Sequence, residues 1–327
     1  MNNTSNTFYP RRGMKAKSIK SVLAKKMDEW LATIEDEELR TLVGKNTIVT
    51  GGCIASMLLG EKVNDFDLYF RNKETVQRVA DYYVARFAPK NKDGIPCAIS
   101  VKNDGERISI QIKSAGIASE EGTKTPYRYF EGVPHEGASA GYVAEVMQDP
   151  GAIQDAYEET ETLALQTTDD EKPKYRPVFM STNAITLSHK LQLILRFYGE
   201  PDDIHKNYDY VHCTSYWDSA KGELTLRPEA MESLLARELR YVGSKYPVCS
   251  IIRLRKFIGR GWTINAGQIV KMALQVSELD LTKVEVLRDQ LTGVDVAYFA
   301  ELLEKVAADD PQKINSSYLI EIIDRMF

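Results

Sequence analysis

Two acids separated by one residue, Asp65 and Asp67, are the most chemically informative pair in this 327-residue chain. The run Asp65-Phe66-Asp67-Leu68-Tyr69-Phe70 alternates acidic and apolar residues, which is a strand pattern. Residues i and i+2 of a strand face the same way, so the two carboxylates stand side by side. Neighbouring carboxylates repel unless a cation sits between them. Hard oxygen donors at this spacing suit Mg²⁺, which binds one or two carboxylates together with substrate phosphates. Upstream, Gly51-Gly52 separates the β-rich run Thr47 to Thr50 from Cys53 to Leu59, a small, apolar, strand-poor stretch that reads as a helix. Such a turn lets backbone N–H groups approach a phosphate, with a helix N-terminus behind it. A calcium loop is excluded, because Phe70 stands where that loop needs glycine. The bland alternative, an acid pair beside a turn, is disfavoured by the glycines upstream.

Phosphoryl transfer with two metals calls for a third carboxylate on a neighbouring strand. Asp104 and Glu106 lie at or beside the turn of a hairpin, and the strand position Gln111 is not acidic. Asp209 is the better candidate, since it interrupts the strand formers Tyr208, Tyr210 and Val211.

The elements that must position these residues are legible in part. Apolar residues at three- and four-residue spacing predict an amphipathic helix over 17–38, and another from Glu74 to Phe87. Ala98 to Lys102 and Arg107 to Lys113 alternate around Asp104-Gly105, a hairpin signal. From about 114 to 177 the pattern fails and an acidic block dominates, which reads as an insertion. Strands are expected over Val178 to Leu187, Leu191 to Phe197 and Tyr208 to Tyr216, with a turn and short helix through Ile204 and His205. From Pro228 onward the chain reads as helices. The expected class is α+β: a mixed β-sheet flanked by helices, then a helical C-terminal domain. The corresponding division is a basic N-terminal arm and helix over 1–40, a catalytic domain over 41–226, and helices over 227–327.

Charge is segregated beneath a net value of −5. Residues 1–27 hold seven bases and no acid, whereas residues 145–171 hold nine acids and no base. Residues 237–271 hold eight bases against the single acid Glu238. There Arg237, Arg240, Lys245, Arg253, Arg255, Lys256 and Arg260 alternate with Tyr241, Tyr246, Phe257 and Trp262. Taken as a cluster, that mixture reads as a surface for triphosphate or nucleic acid, through backbone tracking and base stacking, whereas any single arginine reads as a solvated base over a helical layer whose aromatics are core. The four cysteines are far apart and form no C-x-x-C pair, which disfavours a disulfide framework and a zinc knuckle. A reducing, cytoplasmic setting is expected. No uncharged apolar run approaches the roughly 18 residues of a membrane helix. The histidines have no ligand spacing, and no serine has a defensible His/Asp arrangement.

Gly51-Gly-Cys-Ile-Ala-Ser-Met-Leu-Leu-Gly60 followed by Asp65-Phe-Asp-Leu68 resembles the signature of polymerase-β-like nucleotidyltransferases. The stretch 183–210 is similar to an arrangement in divergent viral and fungal relatives, where a strand ending in Leu-Arg-hydrophobic-Tyr precedes a short helix and the third acid. Residues 250–264 resemble the helical segment after the catalytic domain of tRNA CCA-adding enzymes. The chain thus resembles a bacteriophage-type member of this superfamily, distantly similar to CCA-adding enzymes and poly(A) polymerases. The resemblance implies nucleotidyl transfer from a nucleoside triphosphate to a hydroxyl, most simply the 3′ end of RNA or tRNA, with loss of pyrophosphate. It implies Asp65, Asp67 and Asp209 as catalytic ligands of two Mg²⁺ (or Mn²⁺) ions. Gly51, Gly52, Ser56, Arg253 and Lys256 are implied to bind the nucleotide. Two departures stand against CCA synthesis itself: no acid at Gln111, and no Glu-Asp-x-x-Arg pattern before Arg253. Two other outcomes stay open: an inactive fold that binds nucleic acid or a virion partner, and transfer to a protein or small-molecule hydroxyl.

Overall fold

The computed structural model describes residues 13–87, 98–113 except 106, 174–281 except 181 and 182, and 283, 286 and 290. Most of the acidic insertion and the C-terminal tail expected to be helical lie outside the described residues.

Seven strands form one mixed sheet: β1 (Thr47–Thr50), β2 (Phe66–Phe70), β5 (Pro177–Met180), β6 (Ala184–Leu187), β7 (Leu191–Tyr198), β8 (Tyr216–Asp218) and β9 (Glu223–Thr225). Their order is β5-β6-β7-β2-β1-β8-β9. Only β2 and β7 run parallel; the other neighbours are antiparallel. A separate hairpin, β3 (Ala98–Asn103) and β4 (Ile108–Lys113), closes at Asp104-Gly105 as its sequence predicts, with Gly105 at φ 87°.

Helices α1 (Ala16–Leu31), α2 (Glu37–Asn46) and α4 (Lys73–Phe87) share one core with one face of the sheet. Ile19, Leu23, Met27 and Trp30 are the buried stripe of α1, set against Phe66, Leu68 and Phe70 of β2 and Leu191, Leu193 and Leu195 of β7. Each fully buried side chain of this size contributes about 1.5–3 kcal/mol. Trp30 donates its indole N–H to the Tyr83 hydroxyl at 2.7 Å, so neither polar atom is stranded in the core. The single helix expected over 17–38 is two. Arg40 reaches back to the Ile34 carbonyl at 2.6 Å, and the Asp36 carboxylate accepts from the Leu39 N–H at 2.9 Å, starting a new helix.

Strand alternation sends Asp67 and Tyr69 to the opposite face, where Ile48, Tyr69, Ala184, Ile194 and Ile204 form a second cluster. The short helix α5 (Pro201–His205) covers this face. The strand expected over Val178 to Leu187 is the hairpin β5–β6.

The C-terminal layer contains α6 (Pro228–Ala236), α7 (Pro247–Gly259) and α8 (Ala266–Ser277), plus a pair of two-residue parallel strands, β10 (Glu238–Leu239) and β11 (Thr263–Ile264). That pair was not foreseen, because two residues carry no periodicity. Tyr210, Leu234, Leu239, Tyr241, Trp262 and Met272 form its core, joined by Ala55 of the helix α3 (Gly52–Leu59). The α+β class with a mixed sheet flanked by helices is therefore what the chain adopts.

Candidate active site

Strand β1 ends where β2 begins, with Thr50 opposite Asp67. The next residue, Gly51, has φ 98° and ψ −155°, a region that L side chains rarely occupy. A Cβ there would stand 2.8 Å from Asp67 Oδ2, so glycine is required by the backbone and by the neighbouring carboxylate together. Gly51 donates its N–H to the Cys213 carbonyl at 3.2 Å. Gly52 begins α3, is exposed, and has nothing within 4 Å of where a Cβ would be. Ser56 lies one helical turn further on and is half-buried. The result is an open, N–H-rich helix start beside Asp67, of the kind that receives phosphate.

Asp65 immediately precedes β2 and Asp67 lies within it; both are partly exposed. The charges of both are felt at the buried Cys53 thiol, which burial and then Asp67 and Asp65 push up.

Asp209 does not lie on a strand. Residues 208–216 form a bend, an isolated bridge between Tyr210 and Tyr241, the 3₁₀ turn Val211–Cys213, and then β8. The backbone bonds of this segment go to the C-terminal layer rather than to β7: the Asp209 carbonyl accepts from Val242 N–H at 3.0 Å, and Val211 N–H donates to Arg240 at 3.1 Å. Tyr210 is buried there and donates its hydroxyl to the Ser250 carbonyl at 2.7 Å. Tertiary pairing overrode strand propensity, and β7 has β2 and β6 as neighbours.

Asp209 nevertheless shares an electrostatic neighbour with the other acids. The Cys213 thiol is pushed up first by burial and then by the charges of Asp209, Asp67 and Asp65, with Arg253 opposing them. Tyr69 feels Asp67, Arg253 and Asp65 in the same way, after burial. Three carboxylates and one guanidinium thus bear on one spot beside the Gly51 turn. Arg253 of α7 donates to Asp209 Oδ2 at 2.6 Å, a short charge-assisted bond. Lys256, three residues later, is exposed.

Among the described residues no group of three or more His, Cys, Asp or Glu is close enough to hold a metal ion. The donor set still fits a hard cation in one way: Asp65 and Asp67 supply two carboxylates, and Mg²⁺ takes its remaining ligands from phosphates and water. It does not form a closed three-carboxylate cage, because Asp209 is paired with Arg253.

Within the wider basic stretch three arginines are engaged by acids of the protein itself, Arg253 as above and two more, while Lys245, Arg255, Lys256, Arg260 and Lys271 are exposed. Arg237 pairs with Glu61 at 2.9 Å and Arg240 with Glu232 at 2.7 Å. Tyr241 and Trp262 are buried, so of the two readings of this stretch the aromatics follow the core one.

Sequence reasoning missed the support beneath the turn. Thr50 donates its hydroxyl to the Ser215 carbonyl at 2.9 Å and lies 2.9 Å from His205 Nε2. Burial, and then Arg227, lowers the His205 pKa to about 4, so the ring is neutral at physiological pH. His212, packed against Phe257 and Trp262, is also lowered to about 4 by burial. A histidine with no ligand spacing gave no signal of either role.

Residues 21–237 match the family described as Gabija anti-defense 2 family protein. A curated relative, "Gabija anti-defense 2" of Bacillus phage SPbetaL7, is 24% identical over 123 residues, covering 37% of this chain and 31% of that protein. Among solved structures, the Thermotoga maritima CCA-adding enzyme complexed with tRNA aligns with 81% of this chain and 49% of its own at 15% identity and a TM-score of 0.38. A tRNA-processing enzyme in its apo form aligns with 97% of this chain and 73% of its own at 11% identity and a TM-score of 0.38. The chain therefore matches less than half the length of the phage relative and of the first enzyme. With the family match running through the sheet, the diglycine turn and all three acids, the chain belongs to the Gabija anti-defense 2 family.

Proposed function

We propose that this protein is a metal-dependent nucleotidyltransferase that moves a nucleoside monophosphate from a triphosphate to a hydroxyl, releasing pyrophosphate. The observation that supports it best is the close approach of the Asp67 carboxylate to the Gly51-Gly52 turn, with the charges of Asp65 and Asp209 felt at the same buried Cys213 thiol. Residues 41–226 would carry the chemistry, with 227–327 supplying Arg253. The N–H groups at the start of α3 and the Ser56 hydroxyl receive the β- and γ-phosphates. Asp65 and Asp67 would hold Mg²⁺ (or Mn²⁺) together with the triphosphate, and Asp209 would complete the set on the hydroxyl side. Bound divalent ions supply charge neutralisation at the α-phosphate and acidify the attacking hydroxyl. The triphosphate offers Arg253 a competing anion, which releases Asp209 to take the hydroxyl proton. Lys256 lies within one turn of Arg253 and would add charge at the phosphates.

The acceptor we propose is the 3′ hydroxyl of an RNA. The setting would be the host cytoplasm, where a phage anti-defense protein acts on a bacterial defense; among the described residues no helix is long and apolar enough to cross a membrane. One observation favours a second reading: the Asp209–Arg253 pair is also what a fold that has lost catalysis and kept binding would display.

The discriminating experiment incubates the protein with each labelled triphosphate, Mg²⁺ or Mn²⁺, and host lysate, then digests the labelled material with nuclease or protease. Nuclease-sensitive label is the expected result. Protease-sensitive or small-molecule label would reassign the acceptor, and no label with any triphosphate would favour the binding reading.

A further inference from the structure

We propose that the C-terminal half of α1 and the turn between β6 and β7 form a surface that binds the phosphate backbone of a single-stranded nucleic acid. This rests on the transfer reading and adds to it the place where the acceptor strand lies.

The turn is unusual. His189 and Lys190 have φ values of 63° and 65°, and Tyr175 beside them has 55°. Consecutive left-handed positions in a hairpin turn are normally filled by Asn and Gly, and side chains held there cost about 1–3 kcal/mol each. Here the turn carries an imidazole and an ammonium instead. It is fixed from three sides: Lys26 Nζ donates to the His189 carbonyl at 2.7 Å, Phe66 N–H to the Lys190 carbonyl at 2.8 Å, and Lys190 Nζ to the Val63 carbonyl at 2.9 Å. Arg176 is held alongside, its N–H donating to the Ser188 hydroxyl at 3.2 Å and its carbonyl accepting from Ser188 N–H at 2.8 Å.

These contacts gather Lys26, Arg176 and Lys190 at the turn that carries the exposed His189, with Lys174 adjoining through Tyr175 in the chain. The pKa of His189 is lowered by burial and by Lys26, Lys174 and Arg176, with only Glu29 opposing. Glu29 is already engaged: it accepts the Tyr175 hydroxyl at 3.0 Å and lies 3.9 Å from Lys25. An acidic chain has therefore concentrated positive charge at one end of its sheet. That end is the one that bears the acids, since Phe66, which stands between Asp65 and Asp67, pairs with Leu191 immediately after the turn. Lys26 caps the Phe66 ring at 4.5 Å on the face opposite the acids, so a strand crossing the patch reaches them around the sheet end.

Closely spaced cations suit successive phosphates. The His189 ring, exposed and seated 5.3 Å from the Tyr175 ring, offers a platform on which an unpaired base stacks. An acidic protein surface would use the cations and leave the ring idle, so the combination favours single-stranded nucleic acid.

The test is fluorescence anisotropy with a labelled single-stranded RNA of about 15 nucleotides at two or more salt concentrations. It is run without triphosphate on the Asp67→Asn chain, so that binding is read apart from chemistry. Lys174→Glu with Arg176→Glu should weaken binding tenfold or more, and the milder Lys174→Gln with Arg176→Gln should reduce the salt slope by roughly two. Arg255→Glu with Arg260→Glu, on and just after α7, should change affinity less than about twofold. A loss confined to the α7 variant would overturn the proposal, as would equal competition by polyglutamate. Failure of the RNA to bind, in a protein whose wild type still transfers nucleotide, would overturn it too and leave the transfer reading standing.

Discussion

Gly51 is where backbone and chemistry meet most closely. Its positive φ and the 2.8 Å approach of Asp67 Oδ2 to a would-be Cβ make Gly51→Ala both strained and misplacing. We expect a loss of about 1–3 kcal/mol in stability and of most transfer activity, read by urea unfolding and pyrophosphate release. Gly52→Ala, with open space around it, should leave stability within about 1 kcal/mol of wild type while raising the KM for triphosphate, because a methyl group would occupy the approach to the α3 N–H groups. The two neutral histidines make a separate prediction. His205 and His212 titrate near 4 when folded and near 6.5 when unfolded, so between these values the unfolded chain binds more protons. Stability should accordingly be lost as pH falls from about 6.5 toward 4, by about 2 kcal/mol per histidine at pH 5. Urea midpoints of wild type and His212→Phe across pH 5–7 would show it; parallel curves would refute it. Asp65, Asp67 and the glycines were legible because spacing on a strand and a strand-to-helix turn dictate their geometry. Thr50, His205 and Cys213 were not, since their roles arise from contacts more than 150 positions apart.

Segments with strong periodicity folded as read, and those whose hydrogen bonds go to distant partners did not. The β3–β4 hairpin and α4 carry their partners close in sequence. The Tyr208 to Tyr216 segment has strand formers throughout, yet its bonds go to residues 240–242. Asp209, expected on a strand, lies instead in a bend held by the C-terminal layer. The break between α1 and α2 was also misread, because Asp36 followed three residues later by Leu39 hid a cap inside an apparently continuous amphipathic pattern. Asp36→Ala should cost about 1 kcal/mol by unfolding and leave transfer unchanged, which makes it a stability control for the site variants. Helix α7 reaches the site through Arg253. Arg253→Met should leave Asp209 half-buried beside two other acids, lowering stability by about 1–3 kcal/mol. If the pair restrains Asp209, that variant keeps measurable Mg²⁺ binding while losing affinity for triphosphate.

At the scale of the molecule, one end of a seven-stranded sheet carries opposite charges on two sides. The acids and the diglycine turn face the α5 side, and the cations of α1 and the β6–β7 turn face the other. The composition alone, with its net −5, concealed this. Tyr241 and Trp262 of the basic stretch over 237–271 belong to the core of the C-terminal layer. The central claim is that carboxylates from two distant segments share divalent ions beside the glycine turn. Counting Mn²⁺ bound per chain by electron paramagnetic resonance, with a nonhydrolysable triphosphate present, tests it directly. About two ions should bind to the wild type, with at least one lost in each of Asp65→Asn, Asp67→Asn and Asp209→Asn. Binding of no Mn²⁺ by the wild type, or an unchanged count in the Asp209→Asn protein, would contradict the account.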